Sequence, residues 1–97
     1  MKGKQKKDLR ARAHHLRPIV SIGGAGVTDA VVSAADLALE DHELIKVKLS
    51  AGDKQTRKAQ AEELCARSNA SLIQIIGRVL VMFRAADTDM VSGGDQT

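Results

Sequence analysis

Apolar residues recur along this chain at two alternating periods, one helical and one strand-like. Leu9, Ala13 and Leu16 stand at i, i+4 and i+7 among charged neighbours, which predicts a helix over Lys4–His15 with one narrow apolar stripe. Pro18 ends that helix and pushes Arg17 to an extended conformation. The apolar run Ile19–Ile22 predicts a short buried strand, and Gly23-Gly24-Ala25-Gly26 a tight loop. Thr28 is suited to cap a second helix that runs to about His42. Its stripe is Val27, Val31, Ala34 and Ala38, broadened by Val32, Ala35 and Leu39.

From Leu44 to Leu49 the period drops to two. Ile45, Val47 and Leu49 alternate with Lys46 and Lys48, which predicts a strand with one apolar and one cationic face. Ala51-Gly52 reads as a turn and Asp53 as the N-cap of a third helix, Lys54–Arg67, with Ala61, Leu64 and Cys65 facing inward. Ser71–Ile76 and Val79–Arg84 are predicted strands, joined by Gly77-Arg78 in a two-residue hairpin with glycine first. From Asp87 the chain is polar and Gly-rich, so residues 1–86 are expected to form one domain and 87–97 a disordered tail. The order α-β-α-β-α-β-β predicts an α+β fold with a four-stranded mixed sheet. Its βαβ crossovers should be right-handed, and the closing hairpin reverses the last strand.

Composition narrows the functions this frame can carry. Phe83 is the only residue among Phe, Trp and Tyr, so the core must come from aliphatic side chains. No exposed ring of these types is available to stack bases, and any RNA would be held mainly by charge and backbone groups. The net charge of +3 is unevenly spread. Residues 1–17 carry seven basic side chains (Lys2, Lys4, Lys6, Lys7, Arg10, Arg12, Arg17) against Asp8 alone, whereas the remainder is net acidic. Such asymmetry suits a polyanionic partner; the alternative is a solvated, solubilising arm.

The glycine loop lies between a strand and a helix start, where free N–H groups and the helix dipole favour an anion. KH domains clamp nucleic-acid backbones with a Gly-x-x-G loop on this logic; an ordinary tight turn is the alternative. Neither a Walker A loop nor a dinucleotide fingerprint fits, because Asp29 stands where the latter needs Gly or Ala, and its carboxylate would oppose a phosphate there. Lys46 and Lys48 could reach phosphates from an open sheet face, or could be solvated with Glu43 as a partner.

Catalysis finds little support. Adjacent helical residues point about 100° apart, so His14 and His15 cannot easily share a ligand. His42 is alone, and Glu62-Glu63 and Asp41–Glu43 make no persuasive carboxylate pair. The single cysteine, Cys65, allows no intramolecular disulfide and reads as a small core residue. No nucleophile–base–orienter set is legible, so no enzyme, cofactor or metal site is expected. No run approaches a membrane span and the polar start excludes a secretory signal, so a cytoplasmic protein is expected.

Four segments carry a family resemblance: Ala13-His14-His15-Leu16-Arg17-Pro18-Ile19-Val20; Ile22-Gly23-Gly24-Ala25-Gly26-Val27-Thr28; Ala38-Leu39-Glu40-Asp41-His42-Glu43-Leu44-Ile45-Lys46-Val47-Lys48; and Ile76-Gly77-Arg78-Val79-Leu80-Val81-Met82-Phe83-Arg84. In order and spacing they resemble the CRM domain (chloroplast RNA splicing and ribosome maturation), above all its stand-alone bacterial YhbY-type form. The resemblance spans about residues 4–85. It implies a two-layer α/β sandwich similar to the C-terminal domain of translation initiation factor three. It also implies an RNA-binding role with precursor large (50S) ribosomal subunits. On this reading Gly23, Gly24, Ala25 and Gly26 contact RNA through backbone groups. Lys4, Lys6, Lys7, Arg10, Arg12, Arg17, Lys46 and Lys48 supply the basic surface. The loop departs from the family in its small inner residues, Gly24 and Ala25, and Asn69 stands where glycine is common. A second reading is a protein-interaction module that meets the ribosome through another protein, using the Ala/Val surface of the second helix. A monomer is the default expectation.

Overall fold

A computed structural model describes residues 3–50 and 52–85. The expected tail from Asp87 lies outside these residues. The elements follow the predicted order: α1 Gly3–Ala13, β1 Pro18–Ser21, α2 Asp29–His42, β2 Leu44–Lys48, α3 Lys54–Arg67, β3 Ser71–Ile76 and β4 Val79–Phe83. The sheet order is β1-β2-β4-β3, with β1 parallel to β2 and β4 antiparallel to both β2 and β3. The last strand is therefore reversed, as expected, and is inserted between β2 and β3.

The local signals act as the residue types predict. Thr28 Oγ1 accepts the Val31 N–H at 3.2 Å and Asp53 Oδ1 accepts the Thr56 N–H at 2.7 Å, so each caps its helix. Hydrogen bonds from the Thr56 N–H and its hydroxyl hold the exposed Asp53 carboxyl below its ordinary pKa, with lesser help from Arg57. Gly77 has φ +58° and Arg78 is not left-handed, the pattern of a type II′ hairpin turn. Asn69 follows α3 with φ 54°, a conformation its short polar side chain tolerates. Glu43 is less expected. It closes α2 at φ 65°, donating its N–H to the Leu39 carbonyl, and its own carbonyl accepts the Arg84 N–H. That strained residue lets β2 begin directly after α2.

The main core lies on one sheet face. Ala35 and Leu39 of α2 and Ala61, Leu64 and Cys65 of α3 pack on Val20, Ile45, Val47, Leu80 and Met82. Burial pushes the Cys65 thiol up to about 11. Arg84 closes this side. Its Nη1 donates to Asp36 Oδ1 at 2.9 Å and to the Ser68 carbonyl at 2.6 Å, and its Nη2 to the Asp36 carbonyl at 3.2 Å. It joins the end of β4 to both helices.

Three expectations change here. The cationic face of β2 is not left open, because α1 lies across part of it: Leu9 and Ala13 pack on Leu44, Ile73, Val81 and Phe83. Those sheet residues are apolar and need a cover, which α1's stripe provides. Leu16 does not join that stripe. The helix stops at Ala13, and Leu16 is 36% exposed. Nor is β1 a buried strand. It lies at the sheet edge with only Val20 buried, because one flank and part of its outer face lack a neighbour.

Both outer strands carry irregularities. Pro18 pairs with Lys46 but Val20 with Val47, so Ile19 is an extra residue, and it is 54% exposed. In β3, Leu72 pairs with Met82 and Gln74 with Val81, so Ile73 is extra there. Such bulges re-aim the side chains around them.

Candidate nucleic-acid interface

The predicted basic residues lie on or beside the sheet face that α1 partly covers. Lys4, Lys7 and Arg12 are exposed on α1, and Lys6 and Arg10 are half-buried along it. Arg10 shares a small recess with His14, Lys46, Gln74 and Ile76. Two residues further along β2, on the same face, Lys48 borders a second and shallower recess of about 400 Å³. Ser21, Ile22, Gly23, Gly24, Leu49, Ser50 and Arg78 complete its lining. Arg12 and Arg17 meet at a third recess with His15 and His42. His14 and His15, which follow the end of α1, thus line different recesses.

Arg78 is the residue that reading the sequence missed. It sits in the β3–β4 turn, and its carbonyl accepts the Leu49 N–H at 2.7 Å, which brings the turn against the end of β2. Lys48 pairs with Val79, the residue after Arg78. The signal exists in the chain, but it is readable only once β4 is known to lie beside β2.

The loop offers a narrower set of donors than its four residues suggest. The Gly26 N–H is taken by the Gly23 carbonyl at 3.0 Å, and the Thr28 N–H by the Gly26 carbonyl at 3.0 Å. Among the described residues, the N–H groups of Gly23, Gly24 and Ala25 have no protein acceptor. The start of α2 is not open to an anion in the expected way. Thr28 caps it, and Val27 and Thr28 separate it from the glycines. Asp29 is engaged elsewhere: its Oδ1 accepts from Arg67 Nη2 at 2.6 Å, while Arg67 Nη1 donates to the Val27 carbonyl at 2.7 Å. The guanidinium offsets the carboxylate and fastens the loop's exit to α3.

Glycine is required unequally in this loop. Gly26 has φ +81°, which side chains rarely adopt. A Cβ on Gly23 or Gly24 would meet nothing within 4 Å, and neither has a left-handed φ. The fold does not explain those two glycines.

The opposite face is different in charge. Asp29, Asp36, Glu40 and Asp41 lie on α2, which has no lysine or arginine. Its apolar residues are mostly spent on the core: Ala35 and Leu39 are buried and Val31, Val32 and Ala38 partly so, leaving Ala30, Ala34 and Leu37 outward. Little of the expected Ala/Val surface remains for a partner protein. Among the described residues no group of three or more His, Cys, Asp and Glu could hold a metal ion. No described helix is long and apolar enough to cross a membrane.

Fold and site together define a small α+β domain with one cationic, glycine-edged face. The chain belongs to the CRS1 / YhbY (CRM) domain family, which matches residues 1–84. It is 41% identical over 80 residues to a Pseudomonas aeruginosa protein named "Probable RNA-binding protein", covering 82% of this chain and 77% of that one. A Haemophilus influenzae protein named "RNA-binding protein" is 39% identical, over 87% of this chain and 85% of that one. The solution structure of a hypothetical protein from Staphylococcus aureus superposes with a TM-score of 0.80 at 36% identity, over 89% of this chain and 90% of that one.

Proposed function

We propose that the chain binds RNA without catalysing a reaction on it, and that its RNA is ribosomal, in precursor large (50S) subunits. It would act as a monomer in the cytoplasm. The observation that carries this reading is the convergence of Lys48 and Arg78 on Gly23 and Gly24 around one recess. Lys46, Arg10 and the outer cations of α1 continue the same surface. A phosphate backbone entering there meets free N–H groups of Gly23–Ala25, the Ser21 hydroxyl and two cations. Nothing but glycine lets it come so near. Membership of the CRM family and the names of the relatives support RNA as the polyanion, and the resemblance to the YhbY-type form supports the ribosomal particle.

The test is binding to protein-free ribosomal RNA. The double substitution Gly24→Asp and Ala25→Asp places two carboxylates where phosphate would lie. Affinity in a filter-binding titration should fall at least about tenfold while the circular dichroism spectrum stays unchanged. Unchanged affinity would remove the loop from the interface. Sedimentation with subunits but no binding to naked RNA would favour recruitment through another protein.

A further inference from the structure

The recess bounded by Arg12, His15, Leu16, Arg17, Ile19 and His42 has no part in the phosphate-binding reading above beyond its two arginines. Its volume is about 310 Å³, with Leu44 and Ile45 as further lining. Several unusual features of the fold meet there. Leu16 has left the α1 stripe and is exposed, and Ile19 is the extra residue of the β1 bulge and more than half exposed. His42 arrives because the strained Glu43 turns α2 straight into β2.

The sheet edge is irregular at the same place: Pro18, which has no N–H to donate, pairs with Lys46, and the extra Ile19 interrupts the ladder before Val20 pairs with Val47.

We infer that this recess receives one unstacked RNA base, with Arg12 and Arg17 holding the phosphates on either side. This rests on the RNA-binding reading and gives it a second element. A base presents flat apolar faces and a polar rim. The recess presents aliphatic walls, two imidazoles and two guanidinium planes. Imidazole and guanidinium are among the groups on which unpaired bases stack. The volume lies at the small end of ligand pockets, suited to a single base. Charge agrees: no acidic residue lines the recess, and neither arginine is in an ion pair among the described residues. The scarcity of aromatic rings thus does not exclude base contact; histidines take that role.

The experiment compares two probes of equal length and charge, a single-stranded uridine-adenosine RNA and the same strand made abasic at alternate positions. The unaltered protein should bind the intact strand roughly tenfold more tightly, the effect of one stacked base. Ile19→Gln and His42→Ala, both at exposed positions, should abolish that preference and leave affinity for the abasic strand unchanged. Equal affinity of the unaltered protein for both strands would overturn the base site and leave phosphate binding standing. Variants that keep the full preference would overturn it as well. No binding of either strand, or of ribosomal RNA, would sink the RNA-binding reading and this inference with it.

Discussion

The two faces of one sheet are built to different ends. On the α2 and α3 side, twelve buried residues from both helices and the sheet form a continuous core, and Arg84 ties its rim. On the α1 side, among the described residues, Leu9, Ala13, Leu44, Ile73 and Val81 form a smaller buried cluster, and exposed cations gather around it. Alternating residues of single strands serve both: Ile45 and Val47 face one way, Lys46 and Lys48 the other. This division indicates where substitutions should be silent. Stability is concentrated on the first face, and the proposed function puts polyanion binding on the second, so most changes should move one and spare the other.

The sharpest test of that division is Leu39→Ala. Leu39 is fully buried between α2 and the sheet, and truncation should cost about 2–5 kcal/mol in a urea titration. RNA affinity of the protein that remains folded should be unchanged. Next is Arg84→Met, which leaves Asp36 and the Ser68 carbonyl without their donor and should cost about 2 kcal/mol by the same measurement. Asn69→Ala puts a methyl side chain at φ 54° and should cost about 1 kcal/mol, whereas Asn69→Gly should cost nothing.

The opposite behaviour is expected on the other face. Replacing Lys4, Lys7 and Arg12 by glutamine should shift stability by less than about 0.5 kcal/mol. The slope of log affinity against log salt should fall by about 0.7–0.9 for each phosphate no longer neutralised. A flat salt plot for the unaltered protein would show that the cationic face does not bind a polyanion at all. The smallest effect concerns acid. Asp53 has a lowered pKa in the folded state, so its stabilising share is present above the ordinary carboxylate range and is lost as pH falls through and below it. Asp53→Asn should flatten the acid limb of the stability–pH curve and leave RNA binding at neutral pH unaltered.

Much of this architecture is legible in the chain, because each element declares itself by period and cap. The boundaries of α3 and β3 follow directly from Asp53, Arg67 and the Gly77-Arg78 turn. What escapes is what depends on neighbours. Nothing in the period of Leu9 and Ala13 says which sheet face α1 will cover, and that choice closes part of the face expected to stay open. Arg78 enters the site only through the β2–β4 pairing. Asp29 looks like a repulsive charge until Arg67, distant in sequence, is seen beside it. The bulges at Ile19 and Ile73 leave no mark in a short apolar run, since an added residue changes register without changing composition.

Those two bulges have a consequence for the protein among its own copies. A sheet with two uncovered edges can grow when another chain pairs along them, and a flat, regular edge is what such pairing needs. Here each outer strand carries an extra residue, and β1 opens on Pro18, which has no N–H to offer. The departure that places Ile19 at the recess also makes that edge a poor template, so the sheet ends where the chain ends it.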